Sequence, residues 1–286
     1  MYLQYLIATI LFSPILRTST FTFKDAKIWG KHYPGCNGKL QSPMASDAKK
    51  MIGDSPTIKN KLKFTDSEKL PTKIIMKNTG RTVELKGVWA GKPPKLSGGP
   101  LKGTYVFEKI DFRWAPKEWT EVINVDPQFK SIYMQYMDMH VYFYKEDLKS
   151  FEKAESQKDG LAAFKLQMEF LEDVLLLKDL EKNIHKVQSI NSTAELHPIP
   201  LASFAYKDGS QGSSQSLFYK GSLDYPPCSE SVTWFEPLFG VSISGDLLNG
   251  FRKIKLEGGD VSNVRPLQPT NKRPTKWVFS NKGLDM

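Results

Sequence analysis

The chain has 286 residues, of which 40% are hydrophobic and 25% charged, a composition that excludes a disordered, collagenous or polytopic membrane protein and fits one large globular unit or two small ones. Its formal charge is +9, yet the basic residues occur in scattered clusters (49–50, 59–63, 252–255, 272–273) with few interleaved aromatics and no nucleic-acid-binding motif. That pattern argues against nucleic acid and leaves a solvated face, or a surface for acidic glycans or an extracellular protein, as the partners to consider.

The one long apolar run lies at residues 5–16. It is short for a bilayer span, contains Pro14, and is followed by Arg17-Thr18-Ser19-Thr20, where small residues offer a cleavage site. Residues 1–20 are therefore expected to be a secretory signal peptide, and 21–286 a mature chain without a transmembrane segment. Two cysteines, Cys36 and Cys228, suit an exported protein, since an oxidising compartment would let them pair. Asn191-Ser192-Thr193 is an N-glycosylation sequon in a polar stretch, which also agrees with export.

After the leader, residues 29–43 are rich in glycine and proline and are expected to be irregular. Residues 73–85 read as strand, turn, strand with the bend at Asn78-Thr79-Gly80, and Pro93-Pro94 with residues 97–100 marks a second loop. Residues 105–114 and 131–144 are dense in aromatic and branched side chains and read as strands. Helical periodicity is expected over 171–190, where Leu171, Val174, Leu175, Leu177 and Leu180 form an apolar stripe. Residues 202–215 read as a Gly/Ser-rich loop, with strands resuming at 216–219 and 232–235. No internal repeat or domain linker interrupts this order, so a single domain is expected.

Three separated blocks then carry a family resemblance. The first is Trp29-Gly30 with residues 33–43 (Y-P-G-C-N-G-K-L-Q-S-P), and the second is Asn78-Thr79-Gly80 with Gly98-Gly99-Pro100-Leu101, Tyr105, Phe112 and Trp114. The third runs from Tyr219 through Pro226-Pro227-Cys228 to Trp234, followed by Phe251-Arg252 and Asn263-Val264-Arg265-Pro266; Asp159-Gly160-Leu161-Ala162 adds a short fourth anchor. Together they resemble the α-carbonic anhydrases. The resemblance implies a mainly β (α+β) domain around a large, mostly antiparallel sheet with peripheral helices and a conical cleft, and a Cys36–Cys228 disulfide.

It also implies a zinc ion held by three neutral imidazoles, two from one strand and one from the next, because residues two apart on a strand share a face. Here the first pair aligns with Asp111 and Arg113. A guanidinium has no lone pair to donate and its charge repels a dication, so Arg113 cannot be a ligand. For the third position, counting back from Asp159-Gly160 gives His140, with Asp138 at the place of the glutamate that orients the imidazole and with Met139, Val141 and Phe143 facing the core. Counting forward from Val125-Asp126 gives Gln135 instead. His140 is thus the sole retained candidate ligand among four histidines, the others being His32, His185 and His197.

Other functional positions have changed too. The proton-shuttle position after the bend is Arg81, which cannot exchange a proton near neutral pH. The two threonines before Pro-Pro are Asp224 and Tyr225, Glu121 matches the glutamate partner of the first of them only across an insertion, and Val232 and Trp234 of the pocket wall are kept. The expectation is a secreted carbonic anhydrase-related protein with no catalytic residues and no cofactor, in which Arg113 supplies the central positive charge against Asp111 or Asp224. A zinc hydro-lyase with a residual or relocated site, and a module that binds anionic glycans or cell surfaces, are the alternatives.

Overall fold

The computed structural model describes residues 21–44, 55–116, 137–170, 177–204, 215–237 and 241–280. Twelve strands form its sheet: β1 (Leu62–Thr65), β2 (Lys73–Asn78), β3 (Val83–Val88), β4 (Lys95–Gly98), β5 (Tyr105–Trp114), β6 (Met137–Lys145), β7 (Leu161–Phe170), β8 (Thr193–Leu196), β9 (Gln215–Gly221), β10 (Val232–Pro237), β11 (Val241–Ile243) and β12 (Lys276–Phe279). Their order is β12-β9-β10-β7-β6-β5-β3-β2-β8, with β4 joining β1 to β5 and β11 lying beside β7. All pairings are antiparallel except β10 and β11 against β7. The mainly β architecture expected from the sequence is present, with short helices at Trp29–His32, Phe151–Ala154, Lys178–Asn183 and Gly245–Phe251.

The long central strands β5, β6 and β7 set the two faces. Alternation on β6 sends Met137, Met139, Val141 and Phe143 into the main core and leaves Asp138, His140 and Tyr142 on the other face. On β5 a bulge between Phe107 and Lys109 shifts the register, so Tyr105 and Phe107 before it and Ile110, Phe112 and Trp114 after it reach the same core. Lys109, Asp111 and Arg113 are thereby turned to the opposite face, beside β6. A second, smaller apolar cluster covers that face and includes Tyr142, Phe151, Ala163, Leu223, Val232 and Trp234.

Two sequence expectations change. Of the helix expected over 171–190, the described residues show Lys178–Asn183, followed by a 3-10 turn at Ile184–Val187; residues 171–176 lie outside the described residues. Leu177 and Leu180 are buried as the stripe required, but Leu161–Phe170 before them is a strand that the sequence reading passed over. Its Lys165, Gln167 and Glu169 alternate with apolar residues at period two, a pattern that alanines at 162 and 163 obscure. In the expected loop at 202–215, a 3-10 turn occupies Leu201–Phe204 and Gln215 already opens β9, while 205–214 lie outside the described residues.

Cys36 and Cys228 are disulfide-bonded, joining segments 192 residues apart. Around the bond, Gln41 Nε2 donates to the carbonyls of Gly35 and Cys228, and Arg265 donates to Gln41 Oε1 and the Ser42 carbonyl. This stitches the N-terminal segment beneath the site. Replacing Cys228 by serine is expected to cost about 2–5 kcal/mol, because the unfolded chain regains the freedom of a long loop. Urea unfolding of Cys228→Ser beside the oxidised parent measures it, and equal midpoints would refute it.

Candidate functional site

The site starts from the alternation on β5 and β6. Asp111 stands opposite His140 and Arg113 opposite Asp138 in register, so the side chains of both strands converge on one patch. β5 is held at this point by its neighbours: Thr82 Oγ1 donates to the Phe112 carbonyl, and Asn263 accepts from the Trp114 amide while donating to the Phe112 carbonyl. Asp224 arrives from the loop before cis-Pro227, beside the disulfide.

Arg113 lies at the centre and is 3% exposed. Its Nε donates to Asp224 Oδ2 at 2.6 Å and its Nη2 to Asp224 Oδ1 at 2.8 Å, a two-pronged pair; Nη1 donates to Asp111 Oδ1 at 3.1 Å and to its neighbour's carbonyl, that of Phe112, at 3.0 Å. Asp111 and Asp224 are also buried. His140 faces the same carboxylates through Nδ1, 3.6 Å from Asp111 Oδ1 and 4.0 Å from Asp224 Oδ2. Its ring packs edge-on against Trp234, 4.9 Å between centroids.

Asp138 shares the strand face with His140, but Nε2 of His140 has no hydrogen-bond partner among the described residues. The orienting bond implied for this position is therefore not made, and aspartate is one methylene shorter than the glutamate the resemblance implies. The gap is a small cavity bounded by Asp138, His140, Lys165 and Arg265, with room for about one water.

Residues that the sequence reading passed over complete the patch. Lys109, two positions before Asp111, is buried, pairs with Glu84 and reaches 3.5 Å from Asp111 Oδ2. Its ammonium sits over the rings of Phe151, at 5.2 Å, and Tyr142, at 5.5 Å. Tyr142, two positions after His140, is fully buried, and its hydroxyl lies 3.4 Å from His140 Nδ1. Period-two extension of Asp111-x-Arg113 and Asp138-x-His140 by one step in each direction was the available signal.

Above Arg113 the face is stacked shut. The Arg113 guanidinium lies 5.8 Å from the Tyr225 ring, Tyr225 stacks on Phe21 at 6.5 Å, and the Arg81 guanidinium covers Phe21 at 4.6 Å. Arg81 is thus outside the buried cluster, in loose contact with Glu257 at 3.9 Å. Val232 and Trp234, the two expected pocket-wall positions, lie together in the second apolar cluster. Glu121 and Gln135 lie outside the described residues.

Two carboxylates share one guanidinium, and their titrations are driven apart. Burial pushes Asp111 up to about 6, against the pull of Arg113 and Lys109. Burial acts on Asp224 too, but Arg113 with its two hydrogen bonds, and His140, more than offset it and hold the group at about 2. Burial drives His140 down to about 3, so its ring is neutral at pH 7. In the unfolded chain His140 takes a proton below about 6.5, so its contribution to stability is complete above that pH and is lost as pH falls to about 3. Asp111 acts oppositely, favouring the fold as pH falls from about 6 to 3.8, while the contribution of Asp224 is complete above 3.8 and is lost toward 2. Relative to the parent, His140→Gln is therefore expected to gain stability as pH falls from 6.5 to 4. Parallel urea midpoints across that window would show that His140 does not enter folding as a buried neutral ring.

Zinc is the group this architecture implies, and the residues present do not fit it. Of the three ligand positions, one is a carboxylate already bound to a cation, one is that cation, and only His140 is an imidazole. Among the described residues no group of three histidine, cysteine, aspartate or glutamate side chains is arranged to hold a metal. His32, His185 and His197 are on the surface, His197 against Asp179.

Comparison with known proteins agrees with this architecture. Over 261 residues the chain is 26% identical to carbonic anhydrase 6 of Mus musculus, a match covering 88% of this chain and 78% of the relative. It is 27% identical over 267 residues to carbonic anhydrase 6 of Homo sapiens, with 90% and 82% covered. It is also 29% identical over 265 residues to receptor-type tyrosine-protein phosphatase zeta of Homo sapiens, where 90% of this chain matches only 11% of that protein. The model of the eukaryotic-type carbonic anhydrase family matches residues 24–279, nearly the whole described chain, and the protein belongs to that family.

Proposed function

We propose that the protein is a secreted, catalytically silent carbonic anhydrase-related protein that acts as a binding or matrix component without a metal cofactor. The observation that carries this reading is the Arg113 guanidinium, held by Asp224 and Asp111 where the family's chemistry needs electron-pair donors. A water there has no metal ion to bind it and lower its pKa, and the Asp224 carboxylate would repel a hydroxide. Among the described residues Tyr142 is buried beside His140, Tyr225 lies over the Arg113 guanidinium, and Asp111, Arg113, His140 and Asp224 are themselves buried, which restricts the approach of a small substrate.

The disulfide supports an oxidising destination, and among the described residues no helix is long and apolar enough to cross a membrane. Asn191 is exposed, in the left-handed region at φ 66°, and open to a glycosyltransferase. Its proposed glycan is tested by Asn191→Gln, which should abolish an endoglycosidase-sensitive mass on the protein released by eukaryotic cells; a parent of bare polypeptide mass would refute the modification.

Elemental analysis of protein purified from zinc-containing medium, with CO2 hydration and ester hydrolysis assays, tests the reading of the site. Less than about a tenth of an equivalent of zinc and no turnover above buffer are expected. Stoichiometric zinc with sulfonamide-sensitive turnover would instead establish the zinc hydro-lyase.

A further inference from the structure

Part of the chain's excess of positive charge is gathered along one stretch of the described surface. β1 runs along β4, and the carbonyl of Lys61, just before β1, accepts a hydrogen bond from the Gly99 amide, so Lys61 and Lys63 border the turn that leads to Lys102. Lys61 and Lys63, two residues apart on an extended segment, are both exposed and stand on one face roughly 7 Å apart. Lys63 Cγ lies 3.7 Å from where a Cβ on Gly98 would stand, and Lys145 Cε 3.7 Å from the same point on Gly103. The Lys145 amide donates to the Gly160 carbonyl, which brings in the loop of Lys158 and Asp159. Asp159 is then bound by Lys220 at 2.6 Å and held below the usual carboxylate range, burial notwithstanding, by Lys220 with Lys158 and Lys102 nearby.

Six lysines thus follow one another from just before β1 across the turn before β5 to the end of β9, where Lys220 is bound to Asp159. Several lysines elsewhere on the described surface are neutralised in pairs, as with Lys86–Glu108, Lys95–Glu146 and Lys69–Asp66. Along this stripe, among the described residues, only Lys220 lies within 4.0 Å of a carboxylate. An unneutralised row of this kind on a folded surface destabilises the protein slightly by self-repulsion and attracts a polyanion from a distance.

We infer that this stripe is a docking surface for an acidic polysaccharide, a sulfated glycan chain lying across Lys61, Lys63, Lys102, Lys145 and Lys158. The argument for a glycan is the shape and the compartment. The charges form an extended track rather than a pocket, they are lysines rather than the arginine forks that read a phosphate bidentately, and the disulfide places the fold where sulfated glycans are the prevailing polyanions. The inference deepens the proposed binding role and rests on it for its biological meaning, but it uses none of the residues of the closed site.

The test is binding of heparin and chondroitin sulfate oligosaccharides near physiological ionic strength by the parent and by two variants of equal net charge. One carries Lys61, Lys63, Lys102 and Lys158 replaced by glutamine, the other Lys27, Lys31, Lys186 and Lys253, all of them exposed. The first is expected to lose affinity by at least about tenfold and the second to stay near the parent, with binding falling steeply as salt rises. Equal losses in both variants, no binding by the parent, or binding by the parent to phosphatidylserine vesicles but not to glycan would each overturn the inference. The zinc and turnover assays separate the two readings: a parent that binds glycan and also hydrates CO2 overturns the closed site and leaves the stripe standing, whereas an inert, metal-free protein that ignores glycans does the reverse.

Discussion

Replacing Arg113 by methionine is expected to destabilise the fold by about 3–5 kcal/mol, the cost of leaving buried charges without their partner. Three of its donors end on Asp224 and Asp111, and both carboxylates are buried. Methionine fills much of the same volume, so a cavity contributes little and the loss reports the charge. Arg113→Lys should fall between, because an ammonium keeps the charge but cannot match both oxygens of Asp224 with a planar fork. Adding Asp224→Asn and Asp111→Asn to Arg113→Met should recover much of the loss by removing the charges left behind. Urea midpoints at pH 7 decide it: a loss under about 1 kcal/mol for Arg113→Met would mean that the trio behaves like a surface ion pair and does not organise the face.

The extent to which this was legible in the sequence follows from what kind of residue carried each feature. The strands at 73–78, 83–88 and 105–114 were visible because branched and aromatic side chains crowd them and Asn78-Thr79-Gly80 punctuates the bend, where Gly80 takes φ +82°. Leu161–Phe170 was not, since alanine at 162 and 163 carries no β preference and the strand is fixed by long-range pairing with β6 and β10. The positions of Asp111, Arg113 and Asp224 were readable from the family blocks, and the need of a buried arginine for a carboxylate followed from electrostatics alone. That it takes both carboxylates, two-pronged on one and single on the other, depends on how the loop before cis-Pro227 meets β5, which no local pattern encodes. Lys109, Glu84, Tyr142 and Phe151 were missed for a related reason: each is unremarkable in its own strand or helix and acquires meaning only from the neighbour it closes against.

Converting Asp111 and Arg113 together to histidine is expected to give the chain a zinc site that the parent lacks. The two new imidazoles would share a strand face with each other and stand opposite His140, supplying three neutral donors on adjacent strands. The double variant also removes the cation that Asp224 needs, so without metal it should be much less stable than the parent. A dication bound among the three rings would restore positive charge beside Asp224, and stability should therefore return as zinc is added. The expected results are about one zinc per chain by elemental analysis and a thermal midpoint that rises with zinc in the variant but not in the parent. CO2 hydration should still be absent, because Tyr142 lies against His140 and Tyr225 covers the patch. Adding Tyr142→Val and Tyr225→Thr is the step expected to let substrate in. A double variant that binds no zinc would refute the idea that Arg113 stands where the metal's charge would be, and one that turns over CO2 with both tyrosines in place would refute the account of how the site is closed.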